Sequence, residues 1–240
     1  MKRLNYKNIF CLALLSSTLS APALRADEKD LYDFMWLDPD KKVYVLQNKV
    51  HKKAQSVYLN VGYGKGLSST FQDTSLLHTN FGFYLTEEWA LEGLYSKYNN
   101  SDNDDLENLK RLNGSIPFIR SIESNYGLLA KWSPFYGKIN TFNKIFYFDW
   151  SFGLGLGKIN SKSNATSVAV PTQANTTSDE KYTSVIAKTG FSFHASKNIH
   201  IGLDVLLNNY KAPGPTINGV TPSSKMRTNT DAIVTIGVSF

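Results

Sequence analysis

The chain has 240 residues, a formal net charge of +6 and a single cysteine. Lys2, Arg3, Lys7 and Arg25 fall in a leader, and its removal after Ala26 takes four of those six net charges, leaving +2, too near neutral to argue for nucleic acid. Cys11 leaves with the same leader, which excludes a disulfide framework and thiol chemistry.

In chain order, basic Lys2, Arg3 and Lys7 precede a short apolar run from Ile9 to Leu19. Ala21-Pro22-Ala23 or Leu24-Arg25-Ala26 then offers a small-residue cleavage site, so residues 1–26 read as a secretory signal peptide. The run is shorter than the roughly 20 residues that span a bilayer as a helix. Residues 27–55 form an N-terminal segment mixing Phe34, Met35, Trp36 and Leu37 with charges. It is suited to docking into the mouth of the following domain or onto an envelope protein partner.

Eight strands are predicted beyond it: Ser56 to Gly64, Leu76 to Leu85, Trp89 to Tyr98, Ser124 to Ser133, Ile145 to Gly157, Tyr182 to His194, Ile199 to Tyr210 and Thr228 to Phe240. The fifth shows the pattern best. Phe146, Phe148, Trp150, Phe152, Leu154 and Leu156 alternate with Tyr147, Asp149, Ser151, Gly153, Gly155 and Gly157, giving one apolar face and one small or polar face. Repetition of that pattern in a secreted chain describes a wall between lipid and a polar interior. The fold class expected for residues 56–240 is all-β, a closed antiparallel eight-stranded transmembrane β-barrel in the outer membrane of a Gram-negative cell.

Connections set the orientation. Thr86 to Glu88 and Ala195 to Asn198 are tight, whereas Asn99 to Glu123, Lys158 to Lys181 and Lys211 to Arg227 are long and polar, which places the tight turns in the periplasm and the long loops outside. Lys65 to Ser75 is an outer loop of moderate length, and Pro134 to Lys144 is a long turn for the periplasmic side. Asp102 to Leu112 has helix-like spacing of Leu106, Leu109 and Leu112 behind an Asp cap, but its charge favours a solvated loop. The last strand alternates Ala232, Val234, Ile236 and Val238, and terminal Phe240 resembles the signal read by the outer-membrane assembly machinery.

Several segments taken in order carry a family resemblance. Val45-Leu46-Gln47-Asn48, Glu87-Glu88-Trp89-Ala90-Leu91-Glu92, Ser133-Pro134-Phe135-Tyr136-Gly137-Lys138, Phe148-Asp149 and Gly153-Leu154-Gly155-Leu156-Gly157 resemble the outer membrane β-barrel domain family of myxobacteria, Bdellovibrio and relatives. The resemblance covers roughly Val43 to Phe240. It implies an outer-membrane barrel without catalytic residues or an agreed substrate, and it does not extend to the outer loops.

Strand phase sends Asn60, Asn80, Glu92, Lys131, Asp149, Lys188, His194, His200 and Asp204 inward, while Phe146, Phe148, Trp150, Phe152, Leu154 and Leu156 face lipid. Glu92, Lys131, Asp149, Lys188 and Asp204 carry both signs, so a paired polar network filling the lumen is expected rather than an ion path. The Gly153 to Gly157 run has no phosphate-binding helix after it and reads as room for close packing. Asn164-Ala165-Thr166 and Asn175-Thr176-Thr177 indicate exposed loop. No Cys, His and carboxylate spacing indicates a metal or other cofactor.

Ser192 and His194 share a face, the arrangement of a lipid-modifying barrel enzyme. Their end of the strand is periplasmic, however, away from outer-leaflet lipid A. The expected role is therefore a non-enzymatic scaffold or interaction barrel, with a narrow ion or solute channel as the alternative. Its expected partners are outer-membrane lipids, the assembly machinery and an envelope protein.

Overall fold

The computed structural model describes residues 51–114, 116–141, 144–168, 176–217 and 219–240. The signal peptide and the N-terminal segment as far as residue 50 lie outside the described residues, as do Asn175 and the motif Val45-Leu46-Gln47-Asn48.

Eight strands follow one another around a closed ring: β1 (Val57–Gly66), β2 (Gln72–Tyr84), β3 (Trp89–Asp102), β4 (Arg120–Thr141), β5 (Lys144–Ser163), β6 (Ser178–His194), β7 (Ile199–Ala212) and β8 (Lys225–Ser239). Each pairs antiparallel with its chain neighbours, and β8 returns to β1 in register from Tyr58↔Ser239 to Gly66↔Asp231. Phe240 extends the closure: its N–H donates to Val57 O at 2.9 Å and its carbonyl accepts from Val57 N at 3.1 Å, while its side chain stays exposed.

Two short turns are built alike. Thr86 Oγ1 accepts from Trp89 N and Ser196 Oγ accepts from Ile199 N, so each hydroxyl closes the turn before the next strand begins.

The strands alternate, apart from two register breaks in β4. Along β3, inward Ala90, Glu92, Leu94, Ser96 and Tyr98 are buried, while outward Leu91 and Tyr95 are exposed. The same outward exposure of large apolar side chains recurs at Leu59, Phe81, Leu128, Leu203 and Ile236. This is the surface of a barrel that crosses a bilayer with its strands. No helix among the described residues is long and apolar enough to cross.

All six residues assigned to lipid lie on this outer face. Phe146, Leu154 and Leu156 are exposed, whereas Phe148, Trp150 and Phe152 are half-covered by aromatic neighbours on the same face. Trp89 stacks near Trp132 at 5.9 Å, Phe135 on Trp150 at 5.5 Å and Trp150 on Phe191 at 5.2 Å. This aromatic band lies toward the tight-turn end. Leu156 pairs with Leu128, which pairs with Gly93, nearer mid-barrel.

Three sequence expectations are corrected. Pro134 to Lys144 is not a long turn: β4 runs on to Thr141 and β5 begins at Lys144, so the hairpin projects beyond Trp89, the first residue of β3. Pro134 sits in the register break between Trp132 and Phe135, where a missing N–H interrupts no ladder bond.

Second, the segment expected to be solvated loop contains helix α1 (Asp104–Asn113). Its cap is Asn103, whose Oδ1 accepts from Leu106 N at 3.1 Å, and Leu106 is fully buried. The charges favour the helix because acids occupy its first turn and Lys110 and Arg111 its last. Gly114 ends it in the left-handed region at φ 59°.

Third, Asn164 is buried rather than exposed; it accepts from Ile119 N at 2.8 Å and donates to Pro117 O at 2.9 Å. The remaining strands reach further outward than predicted, because their polar outer ends lack the apolar alternation that marks a membrane strand.

Depth gives a test. Leu156→Arg at mid-barrel should impair insertion by about 2–4 kcal/mol, and Trp150→Arg in the aromatic band by about 0–1 kcal/mol. Reversible urea unfolding in lipid vesicles checks both, and equal costs would contradict the assigned depths.

Candidate functional site

The interior is layered along the barrel axis, and the strands set each layer by bringing alternate residues of neighbouring strands to one level. Nearest the tight turns are two ionic clusters. In the first, Glu92 of β3 takes Lys188 of β6 at 2.8 Å and Lys131 of β4 at 3.7 Å, while Lys188 also reaches Asp204 of β7 at 3.2 Å. Tyr58 donates its hydroxyl to Glu92, and its ring lies 4.5 Å from the Lys131 ammonium. Both carboxylates and both ammonium groups are almost fully shielded from solvent.

Asp149 belongs to the second cluster. It accepts from Lys53 Nζ at 2.7 Å and lies 2.7 Å from His194 Nε2. His51 stacks on His194 with ring centres 4.4 Å apart and meets Tyr147 edge-on at 5.5 Å. The Glu87 carboxylate accepts from Lys53 N and Ala54 N at 3.2 and 3.0 Å. Residues just ahead of β1 are thereby bound into the tight-turn mouth. Burial, then neighbouring His194, pushes the His51 imidazole below its ordinary value, with Asp149 opposing.

The other inward residues complete this end. His200 Nε2 meets Asn60 Oδ1 at 2.6 Å, and Asn80 is buried in the barrel wall. Ser192 and His194 line a cavity of about 20 Å³ together with Lys53, Asp149 and His200. That is room for a water, not a lipid substrate, and the hydrogen bond of His194 Nε2 is to Asp149.

Beyond the ionic level an apolar cluster, which the sequence reading did not anticipate, is interleaved with buried polar residues such as His78, Ser96 and Asn208. Leu76, Leu94, Leu129, Ile186, Leu206 and Ile233 pack into one buried cluster across the interior. Gly127 and Gly157 face each other on β4 and β5, and a Cβ on either would meet Ile186 Cδ1 at 2.5 Å. Part of the glycine run thus makes space for an inward isoleucine. Above it Tyr98 donates to Asp231 at 2.6 Å, and Asn125 donates to Asn208 at 2.8 Å.

At the long-loop end the interior opens into a cup of about 260 Å³. Tyr98, Ile122 and Tyr210 form its floor, and Ser68, Ser69, Thr70, Asn100, Phe118 and Asn229 contribute to its wall. Arg120 of β4 is held against Glu180 of β6 at 2.7 Å and donates to Pro213 O at 2.9 Å. Burial would raise the Glu180 carboxyl, but hydrogen bonding from Arg120 and Ser163 holds it below the ordinary carboxylate value. Arg227 of β8 also lines the cup, and the Phe118 ring lies 5.1 Å from the Arg120 guanidinium carbon and 5.9 Å from that of Arg227.

Asn164 fixes the loop ahead of β4, and Thr216 N donates to Ala165 O at 2.9 Å, so separate loops are joined into one wall. Arg120 and Arg227 escaped the sequence reading because both fall just outside the predicted strands. Extending the inward parity of Asn229 by two residues places Arg227 inside, whereas Arg120 faces inward only because the register break between Ile122 and Ser124 reverses the parity of β4.

The ionic clusters predict unequal mutational costs. Glu92→Ala leaves the buried Lys131 ammonium without its carboxylate and Lys188 with Asp204 alone, and should lower stability by about 3–5 kcal/mol. Lys110→Ala breaks the exposed pair with Asp102 and should cost about 0–1 kcal/mol. Urea unfolding of the two variants in vesicles checks the contrast.

No protein-family model matches the chain, and no curated protein is matched by its sequence. Among solved structures, it is similar to the N-terminal β-barrel domain of Pseudomonas aeruginosa OprF. Identity is 12%, with 78% of this chain and 98% of that chain covered, at a TM-score of 0.48. It is also similar to Ail, the attachment invasion locus protein of Yersinia pestis, with 10% identity, coverage of 78% and 99%, and a TM-score of 0.43. A third similarity is to Neisserial surface protein A, with 11% identity, coverage of 77% and 94%, and a TM-score of 0.41. The strand pairing itself closes the eight-stranded ring.

Proposed function

We propose that the protein is a non-catalytic outer-membrane barrel, a rigid scaffold that displays joined outer loops to the surroundings and holds residues ahead of β1 in its periplasmic mouth. The observation that carries this reading is the filled interior. Between the ionic level and the outer cup the lumen is occupied by a buried apolar cluster together with buried polar side chains bonded to one another, such as His78 with Ser96 and Asn125 with Asn208. Eight strands enclose about the space that side chains can fill, whereas aqueous pores belong to barrels of about 16–18 strands.

The apolar outer surface supports placement in a bilayer, and the division into tight turns and long loops supports the orientation. The ordered motifs resembling the outer membrane β-barrel domain family of myxobacteria, Bdellovibrio and relatives support the same placement. Phe240, exposed at the closing seam, is available to the assembly machinery. Loops fixed by a rigid wall are common sites of interaction.

Single-channel recording on the refolded full-length mature protein tests the reading. Wild type, Lys131→Ala and Lys188→Ala should all lack a large stable conductance, although both substitutions should lower stability by about 3–5 kcal/mol. A stable ion-selective conductance whose selectivity changes in either variant would promote the channel instead. Tags near Gly214 should be labelled on intact cells and tags near Ser196 should not; the reverse pattern would invert the barrel.

A further inference from the structure

The charges at the outer cup are unevenly paired: Glu180 is taken by Arg120, and Asp231 beneath the floor is taken by Tyr98 and Asn229. Arg120 has Glu180 as its ion-pair partner, and its Nε and one terminal nitrogen are engaged. Arg227 has no hydrogen bond or ion pair with any described residue; beyond its contact with the Phe118 ring, it faces the cavity uncompensated. Two further guanidinium nitrogens, Arg120 Nη1 and Arg227 Nε, are buried without a partner. Retaining unused charged donors in a loop-built cavity is costly, and an oxyanion would offset that cost.

The geometry points to an anion-binding cup that takes a free, monosaccharide-sized solute bearing a carboxylate or phosphate, with the anionic group on the Arg227 guanidinium. The planar fork suits both oxyanions. The remaining lining includes the Ser68, Ser69 and Thr70 hydroxyls, which both donate and accept and match a polyhydroxylated body, while the Asn100 and Asn229 amides are held by Ile122 O, Thr74 and Asp231. At about 260 Å³ the cup falls below the roughly 300–1,000 Å³ of pockets for drug-sized ligands, which limits it to about one ring. Its apolar floor ends the cavity at Tyr98, Ile122 and Tyr210, so the solute binds without a path through the barrel.

This assignment rests on the outer loops being the interaction face, and it can fail separately. Isothermal titration is carried out on full-length mature protein in neutral-lipid discs, using glucuronate, glucose 6-phosphate, glucose and trigalacturonate as probes. Both anionic monosaccharides should bind saturably, with glucose weaker by about tenfold or more, and Arg227→Gln should weaken both by about tenfold or more. The variant's folding is checked by its heat-dependent gel shift. If Arg227→Gln does not insert, Arg227→Lys keeps the charge but loses the fork, and a weakening of about threefold or more is expected.

Equal binding of glucose, no binding of either anionic monosaccharide, or affinities unchanged by the substitution that folds would each overturn the site. Binding of trigalacturonate alone would overturn the free-solute assignment in favour of the end of an anionic polysaccharide. A failed titration on a barrel that remains non-conducting and correctly labelled removes this ligand class and leaves the proposed function standing.

Discussion

Backbone closure is the constraint on which the rest of this structure depends. In hydrocarbon an unpaired N–H or carbonyl has no water to meet, so a sheet can cross only if its first and last strands join. Here β1 and β8 join over nine residue pairs from Tyr58↔Ser239 to Gly66↔Asp231, and Phe240 adds its backbone to the seam. Closure then fixes the two faces. Outward positions are open to apolar residues such as Leu128 and Leu156, while inward positions must fill a narrow enclosed volume.

That volume is filled by two different chemistries. Charge is tolerated near the tight-turn mouth because each carboxylate is met by a cation, Glu92 by Lys131 and Lys188 from other strands and Asp149 by Lys53 from ahead of β1. Further along, close packing replaces pairing, and the bare surfaces of Gly127 and Gly157 let Ile186 into the axis. The outer cup begins where this packing ends. Its walls are formed by side chains on strand extensions and by loops joined through Asn164 and Arg120, so the outer surface inherits order from the barrel beneath it.

Much of this was legible in the sequence because a period of two is a strong signal when one face meets lipid. The run from Phe146 to Leu156 settled its own two faces, and Glu92, Lys131, Lys188 and Asp204 fell inward by the same parity. Signals weakened where lipid no longer imposed the pattern. Arg120 and Arg227 lie on polar strand extensions, α1 is short and highly charged, and the hairpin beyond Trp132 is interrupted at Pro134. Parity also cannot say which inward residues meet. Asp149 looked like part of the same network as Glu92, yet it pairs with Lys53, from a segment that has no strand period. The apolar cluster was missed although Leu94 and Leu129 share the inward parity of Glu92 and Lys131, because attention to polar letters on the lumen face passes over apolar ones.

Closure is tested most directly by amide hydrogen exchange on the protein in lipid discs, resolved residue by residue. If the sheet is a ring, the central amides of β1 and β8 should exchange as slowly as those of β4 and β5, because both sides of every strand are paired. Rapid exchange confined to alternate amides of β1 and β8, the pattern of two open edges, would contradict the account.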